Sequence, residues 1–251
     1  MGKWQDAARD LESLLRLRTF PLAIKFVAKK KELESISRTR QLDHPYTFCQ
    51  IVSLSRTVGW TIVGTPESLL TGCKHMLGLE RAPREWRRMF LGVWFENTEA
   101  ADAQYDAFQT VPFRGHEAVV VAPLASEKFE PDITLIHGTP AQMHLLMCAF
   151  IYKNFERLRF FFLGESSCAD TLAEAYNSGK PALSIPCYGQ RRYGHVREDE
   201  LEYAIPPDWI EKGLEGLRWL SSRGIRYPIP HWGAEIDPSP GLAVSHSEYR
   251  K

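Results

Sequence analysis

Five cysteines, Cys49, Cys73, Cys148, Cys168 and Cys187, are the residues of this 251-residue chain best equipped for chemistry. A thiolate is a nucleophile and a soft metal ligand, and it is favoured at a helix N-terminus by free N–H groups and the helix dipole. Cys168 follows Ser166 and Ser167 where a helix is expected to begin. Gly72-Cys73 is similar, with the glycine allowing close backbone approach. Cys187 stands in a Pro186-Cys187-Tyr188-Gly189 turn after a strand, where binding loops usually emerge. Cys49 opens a buried helix. Cys148, inside Leu145-Leu146-Met147-Cys148-Ala149-Phe150, reads as core packing. The competing reading is that all five are small core residues, since free cysteine is among the most buried types. No Cys-x-x-Cys occurs, so the zinc-ribbon and ferredoxin spacings are missing and ligands would have to come singly from distant segments.

Arg191 and Arg192 lie close after Cys187. A guanidinium there could hold a carboxylate or phosphate, or balance thiolate charge, and solvated loop arginines are the equal alternative. His75 reads as an exposed helix residue, His137 as a cap and His144 as a packed surface residue. Lys25 interrupts an apolar run, either as an inward functional lysine or as the mark of a solvent side. Arg81, Arg84, Arg87 and Arg88 alternate with Glu80 and Glu85 and read as a solvated helix face. Neither a dinucleotide fingerprint, a P-loop, a Gly-x-Ser-x-Gly elbow nor a His-Glu-x-x-His motif is present, which withdraws the usual support for nucleotide binding, serine hydrolysis and zincin chemistry.

Lys+Arg and Asp+Glu number 31 each, a balance that leaves no electrostatic footprint for nucleic acid or an acidic membrane surface. The first residues have no continuous apolar core, and the apolar region 145–163 is broken by charges, so neither a signal peptide nor a membrane span is expected. An odd cysteine count without an export signal points to a reducing cytoplasm. Homo-oligomerisation is left open.

The elements that must position these residues follow from hydrophobic period. Helices are expected over 4–17, 46–59, 69–79, 81–90, 100–108, 141–155, 169–176 and 208–223. Strands are expected over 22–27, 61–63, 91–95, 118–122, 132–136, 159–163, 182–185 and 200–205. Two stretches share the order strand, buried helix, strand, turn, cysteine, helix. That order suggests an internal duplication with Cys73 and Cys168 facing one another across a pseudo-twofold axis. The fold expected is a single α/β domain (α+β the alternative) over 1–226, a mixed sheet with helices, followed by a proline-rich tail, 227–251.

Several segments together resemble the domain of unknown function 169 family. They are Pro21-Leu22-Ala23-Ile24-Lys25-Phe26, Cys49-Gln50 through Arg56, Gly72-Cys73 with Leu77-Gly78-Leu79, and Gly179-Lys180-Pro181 through Pro186-Cys187-Tyr188-Gly189-Gln190-Arg191-Arg192. Asp199-Glu200-Leu201 and Ala204-Ile205-Pro206 fit its closing strand. The resemblance implies cysteines at Cys49, Cys73, Cys168 and Cys187, but not Cys148. It also implies a setting in anaerobic bacteria and archaea, which suits oxygen-sensitive thiolate or iron–sulfur chemistry.

The leading expectation is a metal site of Cys49, Cys73, Cys168 and Cys187 holding an iron–sulfur cluster (4Fe-4S), with zinc as the alternative. Such a site would serve a redox or Lewis-acid role on a small, anionic ligand held by Arg191 or Arg192. The other readings are a metal-free binding protein or thiol enzyme using Cys168 or Cys187, and a non-catalytic accessory subunit. Whether the protein is an enzyme is left open.

Overall fold

The apolar repeat near the N-terminus forms a helix, α1 (Lys3–Leu15), which buries Trp4, Ala7, Ala8, Leu11 and Leu15. A computed structural model describes residues 2–113, 115–126 and 128–229. After α1 come β1 (Leu22–Val27), α2 (Lys30–Ser35), β2 (Thr39–Gln41), α3 (Phe48–Val58) and β3 (Thr61–Gly64). Then follow α4 (Thr71–Met76), α5 (Glu85–Arg88), α6 (Thr98–Ala107), β4 (Ala118–Pro123), a 3₁₀ turn Leu124–Ser126 and β5 (Ile133–Gly138). The chain continues with α7 (Pro140–Ile151), a π-helical turn Ala169–Ala173 running into α8 (Glu174–Ser178), and β6 (Ala182–Ser184). The last of the described elements are α9 (Tyr188–Tyr193), β7 (Leu201–Ile205) and α10 (Pro207–Ser222). The proline-rich tail expected from 227 lies, from residue 230 onward, outside the described residues.

The strands form one mixed sheet in the order β2-β3-β4-β1-β5-β7-β6. The β2–β3 pair is parallel and the other neighbours are antiparallel. Alternation along each strand sorts side chains to two faces. Leu22, Ile24 and Phe26 of β1, Ile133 and Leu135 of β5 and Ala204 of β7 meet α3, Met76 of α4 and the 169–175 segment. Ala23, Ile136, Tyr203 and Ile205 face the opposite core, covered by α1, α7 and α10. Helices on both faces of a mixed sheet make a three-layer α/β domain, the class expected from the sequence.

Local chemistry sets the helix starts. Thr47 and Gln50 form a reciprocal capping box on α3, and Thr139 and Gln142 do the same on α7, with Pro140 in the first turn. The Gln142 amide also donates to the carbonyls of Leu15 (2.8 Å) and Arg16 (3.0 Å), binding the end of α1 to the start of α7.

Two expected strands are not strands. Residues 159–163 have the right composition but join no ladder, and Phe161 and Phe162 are exposed. Phe160 packs edge-on to Tyr203 while the Leu163 N–H goes to Asp170, so side-chain anchoring replaces strand pairing there. Residues 91–95 form a tight loop closed by a single bridge between Leu91 and Phe95. Without a strand at 159–163, the second half does not complete the order that suggested a duplication.

Helix α10 crosses α7 closely enough that a Cβ on Gly216 would lie 2.2 Å from the Ala149 carbonyl oxygen. Alanine is the better helix former by about 1 kcal/mol, but it would meet backbone that cannot yield without moving a helix. Gly216→Ala should therefore lower stability by about 1–3 kcal/mol. In urea unfolding this appears as an earlier midpoint with the slope unchanged.

Candidate functional site: a cysteine-lined cavity

Cys49, Cys73, Cys168 and Cys187, drawn from four separated segments, line one cavity of about 780 Å³ on the α3 side of the sheet. Each stands at a helix beginning. Cys49 and Cys73 lie in the first turns of α3 and α4, Cys168 directly precedes the π-helical turn, and Cys187 is the N-cap of α9. The Phe48 N–H donates to Cys73 Sγ at 3.2 Å, and the Gln190 amide donates to Cys168 Sγ at 3.3 Å. A Cβ on Gly194 would sit 3.1 Å from Cys49 Cβ, so the chain after α9 can close against α3 only with glycine there. Among the described residues, no three side chains of His, Cys, Asp or Glu form a group that could hold a single metal ion.

The scaffold behind the thiols is polar and buried. Glu202 of β7 accepts from Thr171 Oγ1 and from the Gln190 amide that also reaches Cys168, and lies 3.2 Å from His137 Nε2. Burial opposes its ionisation, but His137, Thr171 and Gln190 outweigh it and hold the carboxyl below its ordinary range. Arg56, at the end of α3, pairs in the interior with Glu200 and donates to the His195 carbonyl at 3.2 Å. Glu200 also accepts from the Arg197 N–H at 2.9 Å. The pair fastens the helix that carries Cys49 to the chain that follows Cys187.

The thiols repel one another's ionisation. Burial, helped by the neighbouring Cys49 sulfur, pushes Cys73 up to about 12 against the pull of the Phe48 N–H. A hydrogen bond with the Cys49 thiol, then burial and the nearby Glu202 carboxylate, hold Cys168 well above the ordinary thiol range. Burial also raises Cys187, although the Ser167 hydroxyl opposes it.

The two loop arginines do not reach the cysteines. Arg191 donates from Nε to the Pro186 carbonyl (3.1 Å) and from its terminal nitrogen to the Arg197 carbonyl (2.8 Å), closing its own loop. Arg192 lies exposed on the Tyr188 hydroxyl at 2.9 Å. The cation that does line the cavity is Arg87, which is 2% exposed and pairs with Glu165. It was read as part of a solvated face, and that reading is corrected: Trp86, Phe90, Phe95 and Phe108 enclose its guanidinium at 4.6–5.5 Å. Arg84 and Arg88 do remain at the surface, paired with Asp106 and Asp102.

The histidine readings also change. His75 is buried, because the chain after α4 folds back over it: Nδ1 accepts the Ala82 N–H at 3.2 Å, and the rings of Tyr105 and Phe108 stack on it. His137 is no cap but a strand residue directly opposite Glu202 in the β5–β7 ladder. His144 is exposed, 3.7 Å from the Cys148 sulfur. Cys148 packs, half-buried, in the core on the far side of the sheet. Lys25 is half-buried near Glu32 (3.4 Å) and Asp132 (4.0 Å), away from the cavity.

The chain belongs to the domain of unknown function 169 family, described as uncharacterised ArCR, which it matches over residues 10–216. It is similar to an uncharacterised protein of Methanocaldococcus jannaschii, 27% identical over 219 residues, covering 85% of this chain and 93% of that one. No solved structure matches it. No helix among the described residues is long and apolar enough to cross a membrane.

Two outcomes follow from this geometry. Cys148→Ala should cost about 1 kcal/mol and leave the chemistry of the other four thiols unaltered, checked by urea unfolding and thiol titration. Burial, helped by Arg81 and Arg87, lowers His75 to about 4. The folded protein thus resists a proton that the unfolded chain accepts near pH 6.5, so this contribution is complete above pH 6.5 and falls away between about 6.5 and 4. Over that window, wild-type stability should drop by about 3 kcal/mol more than that of His75→Gln. Parallel pH profiles would contradict the assignment.

Proposed function

We propose that the protein is a cytoplasmic iron–sulfur protein acting on a small molecule, with Cys49, Cys73, Cys168 and Cys187 as the cluster ligands. The observation that carries this reading is the arrival of four cysteines, from four segments, at one cavity. The donor set fits such a group. Four soft thiolates make a complete ligand set, and the N–H donors of Phe48 and Gln190 at two of the sulfurs favour the thiolate form. Zinc at about 2.3 Å from each sulfur requires thiolates about 3.8 Å apart. A cluster spreads its thiolates to about 7 Å. Zinc remains the alternative metal for the same four thiolates.

A bound cluster would supply electron transfer, or Lewis acidity at an iron released from one thiolate. The chain itself supplies the rest. Phe48 and Gln190 orient Cys73 and Cys168, Glu202 fixes the Gln190 amide, and Trp86, Phe90 and Phe108 line the cavity with apolar surface. A metal-free nucleophile at Cys168 or Cys187 has less support, because both thiols are raised where a nucleophile needs to be lowered.

Anaerobic purification with iron, acid-labile sulfide and zinc analysis tests the reading. Iron and sulfide should appear in matching amounts with broad visible absorption, be lost in Cys73→Ala and Cys187→Ala, and persist in Cys148→Ala. Stoichiometric zinc without sulfide would move the site to the alternative metal. Neither metal in a folded, anaerobically handled protein would overturn the proposal.

A further inference from the structure

We propose that the cavity takes a small organic carboxylate with a flat apolar body, its anionic end received by Arg87 in place of Glu165. This names a ligand class for the site proposed above, and rests on that reading for the location only. Arg87 is 2% exposed yet lines the cavity, and its Nε has no hydrogen-bond partner among the described residues. A guanidinium presents a rigid fork suited to two carboxylate oxygens. Here one terminal nitrogen is taken by Glu165, while the inner nitrogen of the fork is unused.

Glu165 is the internal stand-in. It is the more exposed partner, 22% against 2%, and the Gln104 amide holds it at 3.0 Å. It sits in the short stretch leading to Cys168, so a ligand carboxylate that displaced it would lie within the same cavity as the thiols. Arg87 is the one cation among the described lining residues. Of the other acids there, Glu80 is held by Lys74 at 2.7 Å and Glu85 is exposed. An organic cation is the rival ligand for a pocket with aromatic walls. That role is filled, because Arg87 itself lies over Trp86 at 4.6 Å and Phe108 at 5.5 Å. What the walls still offer is apolar surface for a flat body.

The test is binding of benzoate, benzamide and benzylamine, followed by tryptophan fluorescence and calorimetry. It uses the full chain, with its iron content measured in each preparation. Benzoate should bind the wild type in preference to both analogues. Glu165→Gln removes the competing carboxylate and should tighten benzoate about tenfold or more, the usual scale of a charge-assisted hydrogen bond, with benzamide unchanged. Arg87→Met should abolish the preference for benzoate, and if that variant does not fold, the Glu165→Gln comparison still decides. Benzoate binding that is absent, indifferent to Glu165→Gln or weaker than benzylamine binding would overturn the proposal. Because the readout does not depend on iron, a protein without a cluster that still shows this pattern separates the two proposals, as does a clustered protein that lacks it.

Discussion

Glu202 has no exposure to solvent, and the arrangement around the cavity depends on keeping it charged there. Burying a carboxylate costs several kcal/mol unless hydrogen bonds and a counter-charge replace the lost water. Its three partners come from three different elements: His137 from β5, Thr171 from the π-helical turn and Gln190 from α9. Satisfying one charge thus fixes the relative placement of the segments bearing Cys168 and Cys187. The Arg56–Glu200 pair does the same for α3 and Cys49. Both acids are on or beside β7, which makes that strand the reference for the whole site.

The cavity is built from like-tempered groups. The Phe48 N–H at the start of α3 and the Gln190 amide of α9 are directed at two of the sulfurs, while burial and mutual repulsion raise three of the thiols. These tendencies oppose each other until a positive centre arrives, when both the N–H groups and the proximity of the sulfurs become favourable. Arg87, held among aromatic rings, places a guanidinium on the wall of the same cavity, where Glu165 pairs with it. The cavity therefore combines soft sulfur donors, an Arg87–Glu165 ion pair and aromatic walls.

The sequence was informative wherever a property repeats with a period or sits at an element boundary. The apolar period of α1, α3 and α10 and the runs that became β1, β4 and β5 all follow from local pattern. The four cysteines of the cavity could be separated from Cys148 by the glycine, serine or proline beside three of them and by the family resemblance. The misreadings share a cause. Arg87, His75 and the strand expected at 159–163 are decided by what folds against them, not by their neighbours in sequence. Arg87 looks like Arg84 and Arg88 until Phe95 and Phe108 close over it. Glu202 carries no local mark at all, because its meaning comes from His137 across the ladder and from Gln190 in the preceding helix. Arg191 and Arg192 follow a cysteine closely in sequence, yet Arg191 uses its donors to close its own loop and Arg192 rests on the Tyr188 hydroxyl.

The strand order has a consequence for biosynthesis. Among the described residues β7 is the last strand made, yet it occupies an interior position between β5 and β6, and β6 has no other neighbour. Until residues 201–205 leave the ribosome, β5 presents an open edge and β6 has nothing to pair with. Such unpaired edges are where nascent chains associate wrongly. Arrival of β7 closes the sheet and delivers Glu202 to its partners in the same event. The emerging chain therefore passes from an incomplete sheet with scattered thiols to a closed fold with an assembled pocket in one late, concerted step. Chaperone retention until that moment would protect the sheet edge and the thiols together.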